Sequence, residues 1–241
     1  MIRASIALVT YNGARYIREQ ITSILAGMGA EDELVISDDG SNDGTWEIMK
    51  DYEAEDPRIS LLQGPGRGVK QNVAHVLSAC KGNYIFLADQ DDIWDQAKIE
   101  KIAGILEQKQ CGLVVHDAVV VGEDGQKVLR DSFFNVKNSG PGAWKNIWRN
   151  TYMGCCMAFR KELLKDVLPI PDTIEMHDQW IGILNDLCGY GTCFIPDRLL
   201  RYRRHGRNTS SSEHYKLPRM LSNRLALLKA LRLWKKSRKE N

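Results

Sequence analysis

The stretch Asn83–Trp94, NYIFLADQDDIW, decides how the fold is read. It begins with an unbroken apolar run and then places Asp89, Asp91 and Asp92 within four positions. A short continuous apolar run bounded by polar residues has the pattern of a strand buried on both faces. The acids fall where such a strand ends. Carboxylates this close repel at neutral pH and call for a cation among them. On both sides the periodicity turns helical, in VKQNVAHVLSAC (69–80) and QAKIEKIAGILEQKQ (96–110).

The same unit recurs outward. SIALVTYN (5–12), ELVISDDGS (33–41), RISLLQ (58–63) and GLVVHDAVVV (112–121) read as strands. ARYIREQITSILAGM (14–28) puts Tyr16, Ile17, Ile21, Ile24 and Leu25 on one helical face, and DGTWEIMKDYEAED (43–56) reads as a helix opened by Asn42 or Asp43. Repeated strand–helix units predict a mostly parallel, Rossmann-like sheet with helices on both faces. Ligands of such sheets bind outside the carboxyl ends of the strands. Thr10, Tyr11 and Asn12, then Asp38 and Asp39, then Asp89, Asp91 and Asp92 would share that rim. The second half is less regular. GEDGQKV (122–128) predicts a hairpin turn, MGCCMAF (153–159) a buried strand, HDQWIGILNDLCG (177–189) a helix, and GTCFIPDRLLRYRRHG (191–206) a strand running into an extended edge. NTSSSEH (208–214) reads as a flexible polar loop.

The chain has 241 residues, 43% hydrophobic and 27% charged, enough for a packed α/β core. A net charge of +2 argues against nucleic acid held by bulk charge. The charge is uneven, because residues 217–241 carry +7 and leave the rest at −5. The six cysteines form no CxxC pair and read as reduced, structural thiols of a cytoplasmic protein. The opening apolar run is too short for a signal peptide, and no stretch reaches the about 20 residues of a membrane span.

Three readings compete for the acidic cluster. A solvated loop with helix-capping Asp explains Asp95 but not the three acids before it. A calcium loop from Asp39 places Asp39, Ser41, Asp43 and Gly44 well, but puts Lys50 where a bidentate Glu is required. A small divalent cation completed by substrate phosphates fits best, and it implies a phosphorylated ligand.

Four segments together, VTYNGARYIREQITSIL, VISDDGSNDGTWEIM, IFLADQDDIW and HDQW, resemble the family 2 glycosyltransferases of GT-A fold. LADQDDIWDQAKIEK and YRRHGRNTSS look most like the bacterial rhamnosyltransferase-like branch, which extends lipid-linked polysaccharides. The resemblance implies a GT-A domain over 1–210, with a nucleotide-sugar half (1–110) and an acceptor half (111–210). It also implies an Mn²⁺ or Mg²⁺ cofactor and a dTDP- or UDP-linked sugar donor. By the same resemblance Thr10, Tyr11 and Asn12 line the nucleotide pocket and Asp39 meets the base. Asp89 and Asp91 form the DxD pair, with Asp91 on the metal and Asp89 on the ribose or in the metal shell. Asp178 is the catalytic base, and His205 lies near the diphosphate or metal. GRGVKQN departs from the family's phosphate-side pattern, so Lys70 or Gln71 stands in for an arginine. The tryptophan motif of processive members is absent after Arg201, which favours addition of one sugar.

The implied reaction is inverting transfer of one hexose, rhamnose-like or another, to a hydroxyl of a saccharide acceptor on a lipid carrier at the inner face of the plasma membrane. The rival readings are a sugar nucleotidyltransferase, which needs a glycine-rich basic loop where TYNGARYI has one glycine, and a binding module without turnover. His177 reads as structural, and His116 and Asp117 have no assigned role. The tail, 211–241, is predicted to be a basic amphipathic helix with Leu225, Leu228, Leu231 and Trp234. It suits either an anionic membrane surface or docking on its own domain or a second subunit of a homodimer.

Overall fold

The structure is a computed structural model and describes residues 1–108, 111–206, 208 and 217–240. Of the polar loop expected at 208–214, only Asn208 lies within them. The first half alternates as expected: β1 (Ala4–Thr10), α1 (Ile17–Leu25), β2 (Asp32–Asp38), α2 (Thr45–Glu55), β3 (Ile59–Gln63), α3 (Val69–Ala79), β4 (Tyr84–Asp89), a two-residue β5 (Ile93–Trp94) and α4 (Lys98–Glu107). β1 and β2 are buried at every position, as strands covered on both faces must be. α1 buries Ile17, Ile21 and Ile24, and α4 buries Ile99, Ile102 and Leu106, which is the spacing that predicted both helices.

The second half contains β6 (Leu113–Val121), β7 (Val128–Arg130), α5 (Phe133–Lys137), α6 (Ala143–Trp148), a 3-10 turn at Gly154–Cys156, β8 (Met157–Arg160), α7 (Leu164–Val167), α8 (His177–Leu187), β9 (Thr192–Arg203) and α9 (Leu217–Glu240). The expected hairpin joins β6 to β7, closed by Gly122 N–H donating to the Lys127 carbonyl at 2.8 Å.

The strands form one sheet in the order β3-β2-β1-β4-β8-β6-β9-β5, with β7 beside β6. β1 to β4 are mutually parallel. The sheet is mixed because β8 enters antiparallel between β4 and β6. β9 is one strand of twelve residues, parallel to β6, whose pairing slips between His116 and Asp117, opposite the span holding Pro196. Proline has no N–H to give to the ladder, so a slip at this point follows from its chemistry.

The tail is a 24-residue helix, α9, folded back on its own domain. Leu227, Ala230 and Leu231 are buried there, and the Trp234 indole donates to the Asp166 carbonyl at 2.9 Å. The expected apolar face is therefore split. Leu231 and Trp234 face the protein, while Leu225 and Leu228 stay exposed. Among the described residues no helix is long and apolar enough to cross a membrane.

Candidate active site

In-register pairing fixes the rim. Thr10 lies opposite Asp38 and Val9 opposite Asp89, so the ends of β1, β2 and β4 are level. The loop after β1 is tied from both sides. On one side Gln90 Oε1 accepts from the Thr10 hydroxyl (2.6 Å) and the Tyr11 amide (2.8 Å), while its Nε2 donates to the Tyr11 carbonyl (3.2 Å). On the other side Asn12 N–H donates to Ser41 Oγ and Gly13 N–H to Thr45 Oγ1, both at 2.8 Å. Asn12 takes the left-handed conformation (φ +50°), which asparagine tolerates. A Cβ on Gly13 would stand 2.3 Å from Gln90 Oε1, so only glycine leaves that clamp in place. Tyr11 itself is 57% exposed, a flat ring facing solvent at the mouth of the site.

Asp38 and Asp39 do different work. Asp38 caps its own turn through Ser41, whose amide donates at 2.8 Å. Asp39 accepts from the amides of Gly66 (2.8 Å) and Gly68 (2.7 Å), which shapes the loop before α3. Lys70 and Gln71 reach across to the segment before α8. Lys70 Nζ donates to the carbonyl of Asp172 at 2.7 Å and to that of Ile174, and Gln71 donates to Asp172 Oδ1 at 2.6 Å.

Beyond β4 the three acids diverge. Asp91 Oδ2 is 2.7 Å from His205 Nε2 and 3.3 Å from Asn208 Nδ2. Tyr16 stacks on the His205 ring with centroids 4.7 Å apart. The Arg203 guanidinium lies 5.1 Å from the centre of the same Tyr16 ring and donates to the Asp91 carbonyl at 2.8 Å. Asp89 is half-buried. Burial, and then the charges of Asp91 and Asp178, push its carboxyl up to about 7, while Lys98 pulls the other way. Asp92 is wholly buried, and one of its oxygens accepts from the Arg203 amide at 3.1 Å. Burial and its two acidic neighbours hold its carboxyl well above the carboxylate range.

The sequence reading left the whole positive charge to a metal. Part of it belongs to the chain. Lys98, in the first turn of α4, is fully buried, with Nζ donating to the Cys155 carbonyl at 2.8 Å and lying 3.5 Å from the centre of the Trp94 ring. Burial lowers its amine to about 8, and Cys156 and Cys155, then Asp92 and Asp89, act against that fall. Asp89, Asp92 and the Cys155 thiol also offer three ligand atoms within 4.8 Å of one another. Asp91 and His205, a carboxylate and an imidazole 2.7 Å apart, form a second donor pair whose chemistry suits Mn²⁺ or Mg²⁺ with substrate oxygens completing the shell.

Asp178 sits in the first turn of α8, 8% exposed. Its Oδ1 accepts from the Gln179 amide (2.6 Å) and from Asn150 Nδ2 (3.0 Å). Burial raises its carboxyl, and His177 with these hydrogen bonds pulls it partly back. The helix N-terminus also favours the ionised form. Asn150 is placed by buried Asn146, whose side chain accepts from the Thr151 amide at 2.8 Å. His177 is kept neutral by burial. Asp117 holds the start of α5, accepting from Ser132 Oγ (2.6 Å) and the Phe134 amide (2.9 Å). Buried His116 rests its Nδ1 against the Asp117 carbonyl at 2.7 Å.

Five residues of this site were missed in the sequence: Gln90, Lys98, Asn150, Arg203 and Asn208. Gln90 had the strongest signal, lying inside DQDD. Arg203 and Asn208 lie inside the motif YRRHGRNTSS, whereas Lys98 and Asn150 carry no pattern that separates them from ordinary surface polar residues.

A mixed sheet with an acidic rim at the ends of β1, β2 and β4, and a buried carboxylate entering from the second half, is the architecture of the GT-A glycosyltransferases. The signature described as Glycosyl transferase family 2 matches residues 5–168, and the chain belongs to that family. It is 26% identical over 229 residues to the dTDP-rhamnosyl transferase RfbG of Shigella flexneri, covering 87% of this chain and 77% of that one. The fold matches S. aureus TarS 1-349 in complex with UDP-GlcNAc (TM-score 0.72, 19% identity, 95% of this chain and 66% of that one). It also matches the mannosyltransferase PcManGT of Pyrobaculum calidifontis in complex with GDP-Man and Mn²⁺ (TM-score 0.68, 21% identity, 85% of this chain and 58% of that one). The chain thus spans about two thirds or less of these two solved proteins.

Proposed function

We propose that the protein is a metal-dependent, inverting glycosyltransferase that moves one hexose, rhamnose-like or another, from a dTDP- or UDP-linked donor to a hydroxyl of a lipid-linked saccharide at the inner face of the plasma membrane. One observation carries this reading: in-register pairing sets the ends of β1, β2 and β4, with Thr10, Asp38 and Asp89, on one rim of a sheet that belongs to a glycosyltransferase family. Thr10, Tyr11, Asn12 and Asp39 frame the nucleotide seat. Asp39 acts through the Gly66–Gly68 loop as well as through its own oxygens, and Lys70 and Gln71 keep that loop against the acceptor side. Asp91 and His205 would hold the cation, which when bound supplies charge neutralisation for the departing diphosphate. Asp178 takes the proton from the acceptor hydroxyl. Its raised carboxyl makes it a stronger base than an exposed aspartate. A single base opposite the leaving group gives inversion, by the face-of-ring logic of inverting glycosidases.

The test is hydrolysis of dTDP- and UDP-sugars without acceptor, with an Mn²⁺ titration followed by electron paramagnetic resonance. Asp91→Asn should weaken Mn²⁺ binding and remove most turnover with the fold intact. Full turnover in excess chelator would overturn the metal-dependent reading.

A further inference from the structure

Among the described residues, more than half of the large exposed apolar side chains sit on two helices, α6 and α9. On α9, Leu217, Leu221, Leu225 and Leu228 are 74, 54, 67 and 42% exposed. Their spacing of four, four and three puts them on one stripe of the helix. This stripe is separate from the one that docks, made of Leu227, Ala230, Leu231 and Trp234. On α6, Trp144 and Trp148 are 73 and 62% exposed and lie one helical turn apart. Arg224 welds the two helices: its guanidinium is 5.3 Å from the centre of the Trp148 ring and donates to the Trp148 carbonyl. Asn223 donates to Glu175, three residues before Asp178, at 2.7 Å. α9 is thereby tied to the segment that leads into Asp178.

We propose that this face, Trp144 and Trp148 of α6 with Leu217, Leu221, Leu225 and Leu228 of α9, docks on an anionic lipid surface. It rests on the reading of a lipid-linked acceptor and gives that reading a landing surface. Two observations choose lipid over a second copy of the chain. The segment 217–241 carries +7, so a twofold contact through α9 would set like charges face to face. The same charge is attracted to an anionic leaflet, where the exposed leucines enter the acyl boundary and tryptophans favour the headgroup level. The face differs from the one the sequence pattern suggested, because Leu231 and Trp234 are spent on docking.

The experiment is co-sedimentation of the full chain with phosphatidylglycerol vesicles and with phosphatidylcholine vesicles, at low and at raised salt. The expected result is binding to the anionic vesicles, weakening as salt rises, with a blue shift of tryptophan emission. Leu221→Glu/Leu225→Glu and Trp144→Ala/Trp148→Ala should each reduce binding roughly tenfold or more. Leu221→Glu/Leu225→Glu, whose side chains are exposed, should keep the wild-type melting temperature, and both variants should keep the wild-type hydrolysis of free donor. The proposal is overturned if the full chain ignores anionic vesicles at low salt, or if both variants bind as wild type does. It also fails if the chain is a dimer that Leu221→Glu/Leu225→Glu splits. Loss of nucleotide-sugar hydrolysis with vesicle binding intact would instead count against the proposed activity.

Discussion

Asp178 has two demands to meet. It must be charged to accept a proton, yet it is 8% exposed and burial raises its carboxyl above the ordinary 3.8. The protonated form persists to higher pH than in an exposed aspartate, so the rate of transfer should climb with pH through that raised value and then level off. Asp178→Asn keeps the shape and most hydrogen bonds and removes the base. Transfer should fall by about 10²–10⁴-fold while nucleotide affinity, measured by titration, stays near wild type. An equal fall in affinity would make Asp178 a donor ligand. At this scale the sequence was legible where chemistry is unusual: clustered Asp89, Asp91 and Asp92, and an acid opening a helix. Lys98 was illegible. It occupies what looks like a solvent-facing lysine position in a helix, and only the tertiary structure buries it between the Trp94 ring and the Cys155 carbonyl. Lys98→Met removes the hydrogen bond to the Cys155 carbonyl and the ammonium over the Trp94 ring, and should lower the urea midpoint.

At the scale of elements, the loop after β1 and the loop after β4 behave as one piece, because Gln90 stands between Asp89 and Asp91 and grips Thr10 and Tyr11. The proposed nucleotide seat and the proposed cation seat therefore share a support. Gln90→Ala should weaken nucleoside diphosphate binding and also reduce the factor by which Mn²⁺ strengthens it, which calorimetric titration with and without the metal would read. An unchanged factor would mean that the two loops are independent. The helices α1 to α4 and strands β1 to β4 could be read from periodicity, since each has a run long enough to show a face. The short α5 and α6 could not. Five or six residues hold less than two turns, and α6 owes its place to buried Asn146, whose partners lie at 140, 142 and 151.

For the whole molecule, the insertion of β8 between β4 and β6 matters most. The sequence suggested a nucleotide half and an acceptor half meeting near residue 110. One sheet runs through both halves: β4 finds its second neighbour only at Met157–Arg160, and β6 completes the far side of that neighbour. This could not be foreseen, because a four-residue strand pairs wherever a buried edge is open. The chain leaves the ribosome from its N-terminus, so the open side of β4 must wait for about seventy further residues, some seconds of synthesis. During that wait an apolar strand with an unsatisfied backbone edge is a template for pairing with another nascent chain. A fragment ending at residue 110 should consequently aggregate on expression, while the full chain should stay dispersed, as light scattering of the two would show. The order in which the chain is made is thus a hazard written into the strand order, and the antiparallel strand that joins the two halves is also the one that ends the exposure.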